Sequence, residues 1–306
     1  MILSVCPNPS VDTFLYFDKF VKGSVNRLSG EKHFPGGKGV HVAIAVAELG
    51  HDVSLLGFWG GSKGKWMLKR IGSMGVKCYG PEIDTENRSC YTFKTNDKYN
   101  DTEILGAGPV ISNTGLNSFY ERFEELLEHS EIVVFSGSWP GGVPDNAYLP
   151  MIELVAKANK KAIIDTSERY LRPVLNTGIF GIHLNNEESE IITGKKNAPE
   201  QNAFLSEKFK MSAVTHGKKG LHLSMGNEIV YANVTLDEIY SAVGSGDCLT
   251  AGLAVGLETE SDTEEIAKLG VACGAANCLR EDLGMFYKKD VDLLLDKVEI
   301  TKSALK

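Results

Sequence analysis

From about residue 117 to residue 194 the chain alternates between two kinds of segment, a rhythm that few folds accommodate. LNSFYERFEELLEH, NAYLPMIELVAKAN and EESEIITG carry apolar residues at helical spacing, whereas EIVVFSG, KAIIDTS and GIFGIHLN are short, nearly continuous apolar runs. A continuous apolar run of strand length implies a strand covered on both faces, and intervening helices supply both the cover and the crossover that parallel pairing needs. The rhythm therefore predicts an α/β domain built on a mostly parallel sheet.

The N-terminal half opens in the same way, with ILSV stopped by the two prolines of CPNPS, then VHVAIAVAELG as a helix ending at Gly50 and VSLLGFWG as a strand. Two excursions break the pattern. VDTFLYF with VNRLSGEKHF, and RSCYTFKT with DTEILGAG, mix polar and apolar residues as strands with one covered face do. Together they predict a small separate sheet, formed by insertions at about 11–34 and 87–106 of a single domain spanning 1–306. Neither internal repeats nor a linker divide the chain.

The formal charge of −8 argues against general nucleic-acid or anionic-membrane binding, so an anionic ligand has to be met locally. The six cysteines form no C-x-x-C pair and read as buried thiols in a reducing compartment. MILSVCPNPS has neither a basic start nor a long apolar run, which points to a cytoplasmic protein without a membrane span.

Two glycine turns precede helices: FPGGKGVHVA, with Gly36, Gly37, Lys38 and Gly39, and AVGSGDCLTAG, with Gly244, Ser245 and Gly246. Free N–H groups and the helix dipole make such a turn an anion site, although glycines also serve simply as tight connections. Neither turn fits G-x-x-x-x-G-K-[ST], and GSGDCL lacks the third glycine of the dinucleotide fingerprint. What remains is Asp247 beside an N–H-rich turn, an arrangement suited to removing a proton from a hydroxyl while the turn neutralises a phosphoryl group.

PGGKGVHVA and AVGSGDCLTAG resemble the paired signatures of the ribokinase-like (PfkB) carbohydrate kinases. NPSVD, PGGKG, GFWGG, DTEILGAGPVIS, SGSWPGGVP and IDTS, in this order, resemble the branch containing 1-phosphofructokinase and tagatose-6-phosphate kinase. The resemblance implies a three-layer α/β/α ribokinase-like fold with a β-sheet lid and a homodimer formed through that lid. It implies ATP and Mg²⁺ as cofactors, leaves room for a monovalent cation, and makes Asp247 the catalytic base with Gly244, Ser245 and Gly246 as its anion hole. It places Asp12, Gly36, Gly37, Lys38, His41 and Arg88 at the sugar, with Lys38 and Arg88 on its phosphate. Asn185, Thr215, Gly217, Gly220 and Asn277, with Ala275 nearby, fall at the nucleotide, and Asn185 and Glu188 at the metal through water. Asn185 and Glu188 also fit a helix-capping pair, and Asp12 an ordinary turn acid.

Several positions depart from the family pattern. His41 stands in place of an asparagine, Cys90 and Thr92 in place of asparagine and lysine, His183 in place of a lysine, and Ala242 in place of a threonine. Lys94 shares the strand face of the missing lysine. The expected activity is ATP-dependent phosphorylation of a ketohexose phosphate, fructose 1-phosphate first and tagatose 6-phosphate next. The alternatives are a kinase of an unphosphorylated sugar or nucleoside, and a sensor that binds these ligands without turnover.

Overall fold

The computed structural model describes residues 1–304. Its centre is a ten-stranded sheet with the spatial order Glu299–Ala304, Glu228–Asn233, Leu221–Met225, Met211–Thr215, Gly181–Asn185, Lys161–Asp165, Ile132–Ser136, Ile2–Cys6, Val53–Gly57 and Lys77–Tyr79. From Met211–Thr215 to Lys77–Tyr79 every pairing is parallel, and the three remaining strands add on antiparallel. Side chains alternate across a strand, so the unbroken run ILSV serves two cores at once. Ile2 packs into one with Val40, Leu253 and Val271, while Leu3 and Val5 pack into the other with Phe119, Phe135 and Tyr148. This two-sided burial is why the strands read as continuous apolar runs.

The two excursions lie together in one four-stranded sheet, in the order Gly30–Gly36, Ser10–Tyr16, Arg88–Lys94 and Glu103–Leu105. Its register sends Asp12, Phe14, Arg88, Cys90 and Glu103 to one face, and Val11, Leu15, Tyr91 and Ile104 to the other. VNRLSGEKHF does not pair along its whole length, and the strand begins only at Gly30. Asn26 accepts from the Val21 N–H and donates to the Val21 and Ser24 carbonyls, so a local turn replaces the ladder in this stretch.

The helix Ser245–Glu258 is set by its contact with Thr263–Cys278. A Cβ on Gly252 would lie 2.8 Å from Gly270 Cα, so paired glycines let the two backbones approach. Among the described residues no helix is long and apolar enough to cross a membrane.

Candidate active site

Ser136, Asp165, Asn185 and Thr215 each end a parallel strand, so the sheet delivers them to one rim. Ligands of open α/β sheets sit in the crevice beyond the carboxyl ends of the strands. A cavity of ≈ 1590 Å³ opens there between sheet and lid. It exceeds the roughly 300–1,000 Å³ that accommodates one drug-sized ligand, and so has room for two substrates end to end.

The acid of GSGDCL lines this cavity. Gly244 has φ +83°, and a Cβ there would meet Gly284 Cα at 2.6 Å, so only glycine makes this turn. The Ser245 N–H turns back to the Ala242 carbonyl at 3.2 Å, and the first N–H to bond within the helix is that of Cys248, to Gly244 at 3.0 Å. Between them the N–H groups of Gly246 and Asp247 have no partner among the described residues. The Gly244 N–H is likewise without a partner among them, so the free donors are those of Gly244, Gly246 and Asp247, while the Ser245 N–H is spent on the turn itself. First-turn N–H groups are unpaired by construction, a rule that adds the Asp247 N–H to the donors expected from the sequence.

Asp247 is 6% exposed and belongs to a row of alternating charges. His41 Nδ1 lies 2.8 Å from Asp247 Oδ2, and Lys38 Nζ lies 3.4 Å from Asp247 Oδ1 and 3.0 Å from Asp165 Oδ1. His183 Nδ1 approaches the other Asp165 oxygen at 3.0 Å, with Thr250 Oγ1 at 3.3 Å from that oxygen and Thr215 Oγ1 at 3.2 Å from His183 Nε2. Burial works against the charge on Lys38, yet Asp165 and Asp247 outweigh it and hold the ammonium well above its ordinary range. Asp165 answers in kind: burial resists its ionisation, but Lys38 and then His183 keep its carboxyl well below the usual range. For His41, burial likewise opposes the charge, and the Asp247 and Asp12 carboxylates overcome it and raise the imidazole above 6.5. Lys38 begins its helix, where the dipole disfavours a cation, and the two carboxylates offset that cost.

Lys38, expected at the phosphate of the sugar, is thus paired with Asp165 and Asp247, acids that lie far from it in sequence. Arg88 lines the cavity with Nε on the Asn8 carbonyl at 3.1 Å and Nη1 on Gly106 at 3.3 Å, which aims the guanidinium without using all its donors. Asp12 accepts from Ser10 Oγ at 2.6 Å and lies against Gly36, where a Cβ would fall 2.1 Å from the carboxyl carbon. Gly36 therefore supports Asp12, while Gly37 lines the cavity itself. Cys90 also lines it, whereas Lys94 turns to Asp101 at 2.6 Å and to the Phe14 ring at 4.7 Å.

At the other end, Asn185, Glu188, Thr215, Gly217 and Gly220 line the cavity. Asn185 and Glu188 form a full capping box, with both side-chain-to-backbone bonds at 2.9 Å. Glu188 uses Oε2 for this bond, leaving Oε1 for a hard cation that keeps most of its waters, so the pair fits Mg²⁺ as well as a cap. Asn277 lies behind the turn, not on the cavity: its Nδ2 donates to the Val243 carbonyl at 3.0 Å, and Ala275 lines the wall in its neighbourhood. Lys196, Lys218 and Lys219 also line this end and escaped notice in the sequence, although HGKKG places two of them inside a glycine loop.

The family model for pfkB family carbohydrate kinases matches residues 8–287. The chain is 29% identical over 308 residues to the 1-phosphofructokinase of Bacillus subtilis (strain 168), covering 99% of this chain and all of that protein. Escherichia coli phosphofructokinase-2 in complex with fructose-6-phosphate superposes with a TM-score of 0.87 at 22% identity, covering 96% of this chain and 98% of the other. Its tetrameric inhibited form gives 0.88 at 21% identity with the same coverage. With the motifs, the layered fold and the turn before Asp247 in agreement with these likenesses, the chain belongs to the pfkB family of carbohydrate kinases, enzymes that phosphorylate a sugar hydroxyl.

Proposed function

We propose that the chain uses ATP and Mg²⁺ to add a second phosphate to a ketohexose phosphate, with fructose 1-phosphate the first candidate and tagatose 6-phosphate the second. The observation that carries this reading is Asp247, buried beside the free N–H groups of its turn in a cavity whose volume has room for sugar and nucleotide. The likeness to a 1-phosphofructokinase over the whole chain supports the choice of sugar.

Asp247 takes the proton of the acceptor hydroxyl as that oxygen forms its bond to the γ-phosphorus. The bond from phosphorus to the bridging oxygen of ADP breaks in the same displacement, and the proton ends on Asp247. The Gly246 and Asp247 N–H groups and the helix dipole stabilise the charge that spreads over the phosphoryl oxygens. Lys38, tied to Asp165 and Asp247, is a fixed cation beside this path. When bound, Mg²⁺ neutralises charge on the nucleotide phosphates, and Glu188 with Asn185 would hold it. Asp12 orients the sugar hydroxyls, and Arg88 meets the sugar phosphate with the donors it has left.

Lys38 is already committed to two acids, which gives some support to the reading in which the acceptor carries no phosphate. A coupled ADP-release assay over fructose 1-phosphate, fructose 6-phosphate, tagatose 6-phosphate, fructose, ribose and nucleosides separates the readings. The account expects turnover with phosphorylated ketohexoses far above that with the free sugars. Preference for fructose or ribose would remove Arg88 from the phosphate role, and ligand binding without ADP release would favour a sensor. A second copy of the chain would cover the outer lid face, where Tyr91 and Ile104 are exposed on the same side of the sheet as Leu15.

A further inference from the structure

His41 stands at the point where the lid, the helix Lys38–Glu48 and the helix Ser245–Glu258 meet. Its ring is 4% exposed and makes one short contact, from Nδ1 to Asp247 Oδ2 at 2.8 Å. The other ring nitrogen is buried and has no hydrogen-bond partner among the described residues. The acid nearest to Nε2 is Asp12, whose Oδ2 lies 3.9 Å away, within ion-pair range and beyond a hydrogen bond. The ring has little freedom to turn away, because the backbone of Gly284 packs on it so closely that a Cβ there would lie 2.3 Å from His41 Cγ.

Every charged group that faces the ring bears on its proton. Asp247 comes from the helix Ser245–Glu258 and Asp12 from the lid strand Ser10–Tyr16, and both favour the cation. Lys38, one helical turn earlier, opposes it. Arg88 and Glu103 line the same cavity, and the backbone of Gly284 packs on the ring.

We propose that His41 is a positioning residue held as an imidazolium, whose Nδ1–H fixes the acid that accepts the proton and whose Nε2–H tethers the acid that holds the sugar. This inference rests on the kinase reading and extends it. Nδ1–H occupies Asp247 Oδ2, which leaves Oδ1, on the Lys38 side, for the acceptor hydroxyl. Nε2–H closes on Asp12 once the lid strand settles over the sugar. Loss of a proton at high pH takes it from Nε2, because Nδ1–H is held by the shorter bond. The neutral ring then turns a lone pair toward the Asp12 carboxylate. Sugar binding weakens while the contact to Asp247 survives, so the effect falls on KM and spares kcat.

The wild-type kcat/KM for the sugar phosphate is therefore expected to fall about tenfold per pH unit above the imidazole's pKa, with kcat flat over the same range. His41→Asn and His41→Gln carry no ionisable ring, and their kcat/KM is expected to lose this alkaline limb and show a raised KM at every pH. An alkaline limb retained in both variants would overturn the proposal. A second readout does not depend on turnover: in NMR of the whole chain, the His41 ring carbons should titrate above the ordinary imidazole range of about 6.5 and move down in Asp12→Asn. Titration at or below that range, or no change in Asp12→Asn, would also overturn it. Failure of every sugar and sugar phosphate as an acceptor would count against the kinase reading, and the NMR titration would still decide the state of His41.

Discussion

Replacing Gly244 with alanine probes the turn that holds Asp247 in place. At φ +83° an L-residue sits in the left-handed region, at a cost of about 1–2 kcal/mol. The new Cβ would also fall 2.6 Å from Gly284 Cα and 2.8 Å from Gly284 N, and backbone atoms cannot rotate aside. Overpacking of this kind adds about 1–3 kcal/mol. The sum, roughly 2–5 kcal/mol, is most cheaply relieved by displacing the start of the helix Ser245–Glu258, which carries the Gly246 and Asp247 N–H groups and the Asp247 carboxylate. A shift of about 1 Å in a reacting group costs on the order of 10²-fold in rate. In a coupled ADP-release assay Gly244→Ala should lose at least about 100-fold in kcat. Gly50→Ala is the control: it shares the positive φ, +88°, but has no atom within 4 Å of its Cβ, and it should lose stability without losing rate. Equal kcat in Gly244→Ala and Gly50→Ala would refute the idea that this turn positions the chemistry.

Two further substitutions separate structural from chemical roles. Glu188→Gln preserves the capping box, since glutamine caps as glutamate does, so thermal unfolding should hardly move while the Mg²⁺ needed for half-maximal rate rises about tenfold or more; an unchanged Mg²⁺ requirement would leave Glu188 a cap alone. Gly252→Ala would drive a Cβ to 2.8 Å from both Gly270 Cα and the Leu269 carbonyl, and should destabilise the chain by about 1–3 kcal/mol in chemical denaturation. An unshifted denaturation midpoint would show that the two helices are not held at that contact.

The sequence carried the layers of the fold because strands buried on both faces are apolar throughout, and ILSV, EIVVFSG and KAIIDTS all became neighbours in one parallel sheet. It did not announce Glu299–Ala304, an edge strand of mixed polarity whose partner is chosen by the preceding chain path. The acid after the glycine turn was equally plain, since a turn motif and its helix are contiguous. The company Asp247 keeps was not. Lys38 and His41 lie more than two hundred residues away in the chain, and their pairing arises from how the helices pack. For the same reason the resemblance places Lys38 at the sugar phosphate without announcing Asp165 and Asp247, the two acids that folding brings beside it. Asn277 read as a nucleotide contact and instead braces the Val243 carbonyl behind the turn.

The central claim, that Asp247 removes the proton of the acceptor hydroxyl, is tested most directly by the turnover of Asp247→Asn with a sugar phosphate and ATP. Asparagine keeps the size of the side chain and the backbone N–H but cannot accept the proton. The account predicts a fall in kcat of about 10²–10⁴, with cooperative unfolding and ATP binding retained. Turnover near that of the wild type would contradict it.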